Sequence, residues 1–337
     1  MSARRATLTD VAAEAGVSVA TVSLILNGRG TFPESTRERV RAVAERLQYS
    51  PNVRALKLRN SSSNAVALVT ALPRRMLGDP ERLAYFRELA LPTAESAMAR
   101  GYSLTLVPPL EDLAMLETLD VDGVVVVDPA PDSAVVRVFN RRHLPVVTIG
   151  AVRGIAAVSM VDRGVWGADA LVDHMLEQGL RHLLLVYVDA AASLDSVLFP
   201  YLERRAQEDG FRFSHRRVPA VADRAGLEAV ASEVLADPDG PDAVYSPWSF
   251  VAGQLMEIMI RRGVRVPDDV MFATNFDSPG YRALRPAMTT MDLHLHEVAT
   301  LAAEQLMQHL RGVEVPARVP APSPRILPRE SSLRRPH

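Results

Sequence analysis

The sequence predicts a small all-α helix-turn-helix headpiece followed by an α/β body of doubly wound parallel sheets. Three observations carry that prediction. Thr7 to Gly28 reads as two short helices joined by a glycine turn. From residue 64 onward, short runs rich in Val and Leu alternate with amphipathic helices, the pattern of repeated βα units with both sheet faces covered. The charge is also asymmetric: the first sixty residues carry ten Lys and Arg against five acids, whereas the 337-residue chain is −2, so the remainder is −7.

In the headpiece, Thr7 with Asp10 forms a capping-box-like start, and Leu8, Val11, Ala12 and Ala15 recur at helical spacing. Gly16-Val17-Ser18 breaks this helix and caps the next. Val17, Val22 and Ile25 then face inward, while Val19, Ala20, Thr21, Ser23, Leu24 and Asn27 are predicted on the outer face of the second helix. A third amphipathic helix from about Glu34 to Leu47 turns Val40, Val43, Ala44 and Leu47 to the same core. An outward second helix on a basic foot is the geometry that enters a major groove, and polyphosphate is the partner its charge suits.

The body, 64 to 337, is long enough for one or two α/β domains. Ala65-Val69, Ser103-Val107, Val124-Val127, Val146-Ile149, Leu183-Tyr187, Ala243-Tyr245 and Val270-Ala273 read as buried parallel strands. Glu81-Arg100, Val165-Gln178, Ser196-Asp209, Arg224-Ala236, Phe250-Arg262 and Glu297-Arg311 have helical period. In such sheets ligands sit beyond the carboxyl ends of the strands.

The string TLTDVAAEAGVSVATVSLILNG, the third helix and YSPNVRALKLRN (Tyr49 to Asn60) together resemble the lactose-repressor (LacI) family of bacterial transcription regulators. The resemblance implies a homodimer on double-stranded DNA with a pseudo-palindromic operator, and a hinge at 51–63 that folds on that operator. It places Leu58 as the apolar wedge in the central minor-groove step, with Asn52, Ala55 and Lys57 as its neighbours; such a wedge unstacks one step and is repaid by the contacts of bent DNA. From the residues alone, 51–63 reads as a linker. Over the body, Ala99-Arg100-Gly101-Tyr102, Val161-Asp162, the Gly263 to Val270 string, Phe276-Asp277 and Arg329-Glu330-Ser331 extend the resemblance. It implies a periplasmic-binding-protein-like clamshell of two doubly wound parallel-sheet subdomains, about 64–161 with 291–316 and about 162–290 with 317–331. The chain would cross near Asp162, near Thr289-Thr290-Met291 and between Pro316 and Pro324.

Two departures from the family pattern matter. Positions that carry long polar side chains in relatives are Val19, Ala20 and Leu24 here. Apolar side chains cannot make a bidentate contact to guanine but can pack on a thymine methyl. Ser18, Thr21, Ser23, Asn27 and nearby arginines, Arg29 among them, are then expected on phosphates, with Thr7 also a candidate DNA contact. In the cleft, the family's pocket arginine falls on Leu198, its Asn-Asp pair on Pro247-Trp248, and its small polar residues on Ala71-Leu72. The cleft is therefore expected to be apolar. Either a small-molecule effector less polar than a sugar stacks on Phe86 or Trp248 and orients against Asp162 or Asp277, or the body binds no effector and serves dimerisation. Tyr85 and Leu198 complete the candidate lining. Trp248 suits core packing as well as a ligand role, Tyr85 suits core packing better, and Asp162 equally caps the helix after it.

Composition narrows the rest. There is no run of eighteen apolar residues, and Met1 to Asp10 lacks the apolar core of a signal peptide, so a cytoplasmic protein without membrane contact is expected. The absence of cysteine excludes disulfides, Cys-ligated zinc and thiol catalysis. His294-Leu295-His296-Glu297 fits no metal motif, and no phosphate loop or nucleophile motif is present, so neither enzyme nor cofactor is expected. Three classes remain: an effector-modulated homodimeric repressor, an effector-independent or architectural DNA binder, and a solute-binding module.

Overall fold

The structure, a computed structural model, describes residues 6–26, 30–49, 62–70, 80–110, 112–130, 132–152, 154–155, 158–165, 167–188, 197–219 and 224–334. The chain divides into two compact units, Met1–Ser63 and Asn64–His337.

The first unit holds α1 (Leu8–Ala15), α2 (Val19–Leu26) and α3 (Glu34–Arg46). Val11, Ala12, Ala15, Val22, Ile25, Val40, Val43 and Ala44 form one buried cluster drawn from all three helices. Each helix contributes only a stripe, so none is stable without the others.

Among the described residues, the second unit has two six-stranded sheets. In chain order its elements are β1 (Ala65–Thr70), α4 (Pro80–Met98), β2 (Ser103–Val107), α5 (Ala114–Glu117), β3 (Gly123–Val127), α6 (Ala134–Arg141), β4 (Val146–Ile149), β5 (Val158–Asp162) and α7 (Ala168–Glu177). There follow β6 (His182–Val188), α8 (Phe199–Asp209), β7 (Arg212–Val218), α9 (Arg224–Ala236), β8 (Ala243–Ser246), α10 (Ser249–Arg261), β9 (Met271–Phe276) and α11 (Pro279–Ala283). Last come β10 (Thr289–Asp292), α12 (Leu295–Leu310), β11 (Arg318–Pro320) and β12 (Arg325–Leu327). The sheet orders are β11-β5-β4-β3-β1-β2 and β12-β10-β9-β8-β6-β7. Both are parallel except for β12, which runs antiparallel to β10. The central strands are buried along their whole length, as in Gly123–Val127 and Met271–Phe276, which is why they read as unbroken apolar runs.

The chain crosses between the two lobes three times: after β5, after β10 and between β11 and β12. Because β11 pairs with β5 and β10 pairs with β9, residues 318–320 lie in the first lobe and 289–292 in the second. Strand pairing thus moves the boundary expected at 316/317 past Pro320, and that expected at 290/291 past Asp292. The crossings converge on Gly167, whose φ of +79° is left-handed. A Cβ there would stand 2.6 Å from the Met291 sulfur and 2.8 Å from Pro324 Cβ, so only glycine fits both the backbone and the space.

Candidate nucleic-acid interface and interlobe cleft

In the headpiece, the Thr7 hydroxyl accepts the Asp10 amide at 3.3 Å while the Asp10 carboxylate accepts the Thr7 amide at 2.8 Å, a reciprocal capping box. Gly16, left-handed at φ +64°, ends α1, and α2 departs at 104°. The Ser18 hydroxyl accepts the Thr21 amide at 3.0 Å and lies 2.8 Å from the Thr21 hydroxyl, so the start of α2 is closed by its own side chains. Burying Val22 and Ile25 turns Ser18, Val19, Ala20 and Leu24 to the outside. Val19 is 44% exposed and Leu24 40%. Thr21 is half-buried, and Ser23, expected on the outer face, is buried. It stands one 100° step from Val22 and one turn before Leu26, on the edge of the apolar stripe.

No residue of α2 is charged. Three arginines of α3 hold the bundle together. Arg37 donates to the Gly30 carbonyl at 3.2 Å and Arg39 to the Ala15 carbonyl at 3.1 Å, while Arg46 pairs with Glu14 at 2.5 Å. The sequence-predicted DNA contacts Asn27, Arg29, Asn52, Ala55, Lys57 and Leu58 lie outside the described residues, as do Ala71 and Leu72 of the cleft.

In the body, the carboxyl ends of the two sheets meet. Tyr85 on α4 faces Phe276, the last residue of β9, edge to face with ring centroids 5.7 Å apart. Arg163, directly after β5, donates through Nη1 to the Tyr85 hydroxyl at 2.5 Å and through Nη2 to Asp128, directly after β3. Arg163 and Asp128 side chains are 7% and 15% exposed. Burial pushes the Tyr85 phenol well above its ordinary range, with Arg163 pulling the other way. Burial also disfavours the Arg163 cation, but Asp128 and Tyr85 outweigh it and hold the guanidinium above its ordinary value.

The cleft is therefore not apolar, as the loss of the usual Arg and Asp had suggested. An arginine and an aspartate stand in it at other positions. The signal for them was a charged residue at the carboxyl end of a buried strand, Val127-Asp128 and Asp162-Arg163.

The other candidates scatter. Phe86 packs half-buried against the core, and Leu198 and Trp248 are buried members of it. Asp162 accepts the Gly164 amide at 3.0 Å and Arg318 Nε at 2.6 Å, so its carboxylate fastens β5 to β11. Asp277 accepts the Thr290 hydroxyl at 2.9 Å and pairs with Arg329 at 2.8 Å. Asp277 also borders a cavity of about 400 Å³ beside the second crossing, with Glu88, Phe276, Asp292, His294 and Leu327. His294 caps α12 at a left-handed φ of +49°. Among the described residues, no group of three or more His, Cys, Asp or Glu is placed to hold a metal, and no single helix is long and apolar enough to cross a membrane.

A capped helix-turn-helix with an exposed second helix, followed by two doubly wound lobes joined by three crossings, defines a DNA-binding transcription regulator with a periplasmic-binding-protein-like body. Residues 7–52 match bacterial regulatory proteins of the lacI family, and residues 172–332 match the periplasmic binding protein-like domain. Residues 7–52 thus carry a lacI-family DNA-binding domain, and the chain is similar to regulators of that family along most of its length. It is 24% identical to the transcriptional repressor PurR of Serratia proteamaculans over 97% of this chain and 96% of the relative. It is 26% identical to catabolite control protein A of Streptococcus mutans, over 92% of each. Among solved structures, the lac repressor dimer bound to operator and the anti-inducer ONPF superposes with a TM-score of 0.79 at 19% identity, covering 98% of this chain and 100% of that one. A complex of the regulator CelR with cellobiose gives 0.69 at 23% identity, covering 97% and 100%.

Proposed function

We propose that the protein is a homodimeric repressor that grips a pseudo-palindromic operator through paired headpieces, and that a small-molecule effector in the interlobe cleft modulates that grip. The observation that carries this reading is the outer face of α2, Ser18 to Ala20 with Leu24, left uncovered by its own bundle on a segment matched to DNA-binding regulators. In this reading Val19, Ala20 and Leu24 meet base edges, and Thr7, Ser18 and Thr21 lie along the backbone with Asn27 and Arg29, while the buried Ser23 takes no part. Asn52, Ala55, Lys57 and Leu58 act at the operator centre. The lac repressor dimer on its operator and CelR with cellobiose support it by likeness of fold. A ligand that prefers one lobe arrangement shifts the population of that arrangement, and with it operator affinity.

Selection of genomic fragments by the full-length protein at near-physiological salt tests the reading. A pseudo-palindrome with a fixed centre is expected; tight binding without a consensus overturns it.

A second reading, an effector-independent DNA binder, is favoured by one observation. The Tyr85 hydroxyl, the two Nη groups of Arg163 and the Asp128 carboxylate pair with one another and sit where a ligand's polar groups would. Thermal unfolding across a metabolite panel separates the two, because a ligand of the folded body must stabilise it.

A further inference from the structure

The outer face of α2 offers a base pair carbon and little else. Val19 and Leu24 are its exposed large side chains, with Ala20 beside them. The hydroxyls of Ser18 and Thr21 are engaged with each other, Ser18 also accepts the Thr21 amide, and Ser23 is buried. None of the eight residues of α2 is charged or carries an amide side chain. In the major groove, the one base feature that an apolar side chain recognises is the methyl group at C5 of thymine. 5-Methylcytosine carries the same methyl at the same ring position. A carbon surface has no donor or acceptor with which to separate the neighbouring O4 of thymine from the N4 amino group of cytosine.

We propose that α2 reads C5-methyl groups rather than base-pair identity, so that at the positions it covers 5-methylcytosine is an acceptable operator base and unmethylated cytosine is a poor one. The proposal rests on the reading of the headpiece as an operator-binding module, and it names what that module recognises. Each methyl withdrawn from water against Val19 or Leu24 contributes about fourfold in affinity, the equivalent of roughly 0.8 kcal/mol. One such position in each half of a two-fold operator compounds to about fifteenfold.

The test uses full-length protein and the operator recovered by selection, with affinity measured by fluorescence anisotropy at fixed salt. Thymines of each half-site are replaced one at a time by deoxyuridine, which deletes the methyl and leaves the base pair otherwise intact. At the sensitive positions, C·G pairs are then compared with and without the 5-methyl group. The expected result is a loss of about fourfold per half-site for deoxyuridine, and a similar gain when cytosine is methylated. Leu24→Ala and Val19→Ala, both at exposed positions that leave the bundle core intact, should flatten the thymine-to-deoxyuridine difference. The proposal is overturned if deoxyuridine is tolerated at every position while the operator is still bound tightly, or if 5-methylcytosine is no better than cytosine. Failure to prefer the operator over random DNA overturns the operator-binding reading itself, a distinguishable outcome.

Discussion

Tyr85 of the first lobe meets Phe276 of the second edge to face, and the same tyrosine receives the buried guanidinium of Arg163. One side chain thus joins the lobes through its ring and closes a charged cluster through its hydroxyl. Tyr85→Phe keeps the ring and removes the acceptor, and should cost the body about 2 kcal/mol, the worth of a hydrogen bond to a charged group. Phe276→Leu keeps a buried apolar side chain in the core but removes the edge contact, and should cost about 1 kcal/mol. Urea denaturation ranks the two, and a larger loss for Phe276→Leu contradicts this division of roles.

Asp128 is the counter-ion that makes burial of Arg163 tolerable. Asp128→Ala should destabilise the body by about 3 kcal/mol, because it leaves a cation at 7% exposure without its carboxylate. The double change Asp128→Leu with Arg163→Met should recover most of that loss. A double variant as unstable as the single one means that the cluster supplies more than mutual neutralisation.

Gly167 sets the packing where the crossings meet. Gly167→Ala combines a left-handed backbone, about 1–2 kcal/mol for an L residue, with a Cβ driven toward the Met291 sulfur and the Pro324 ring. The expected loss exceeds that of Gly101→Ala, which shares the positive φ but meets no atom within 4 Å. Equal losses at the two sites, compared by thermal unfolding, refute a steric role for the crossing.

His174 is buried with Nε2 2.7 Å from the Ser332 hydroxyl, and burial holds it below its ordinary pKa of 6.5, partly offset by Glu177. The neutral form is therefore the folded one. Above pH 6.5 folded and unfolded chains are both neutral at this site. As the pH falls through 6.5 the unfolded chain binds the proton first, and stability is lost until the lower folded pKa is reached. His182 shifts in the same direction, again chiefly by burial. The urea midpoint should fall between pH 7.5 and 5.5, with a shallower fall in His174→Gln; identical slopes exclude His174 as a source.

Leu58→Ala addresses the hinge. Loss of the wedge should weaken operator binding while thermal unfolding of the body stays unchanged, because an unstacked base step is stabilised only if a side chain fills it. Unchanged operator affinity removes the wedge from the mechanism.

Much of this architecture was legible because its determinants are local. The run Val124 to Val127 bounded by Gly123 and Asp128 reads as a strand on its own, and Thr7 with Asp10 announces a helix start three residues apart. What escaped depends on distant partners. β7, Arg-Phe-Ser-His-Arg-Arg-Val, is an exposed edge strand held by its ladder to β6, and its polar composition hides it. β11 and β12 are three residues each inside a proline-rich segment, and exist because β5 and β10 offer free edges. Arg163 and Asp128 are 35 residues apart in sequence, and nothing local pairs them.

The crossings also govern the order in which the chain can fold. The first lobe is incomplete without α12 and β11, which enter the polypeptide only after β6 to β10 of the second lobe have been made. During synthesis the second lobe therefore has most of its sheet before the first can close. Until residue 320 emerges, β5 presents a bare parallel edge with nothing to pair against. Neither lobe corresponds to a continuous stretch of message, so excising one as a fragment removes strands or a helix from the other.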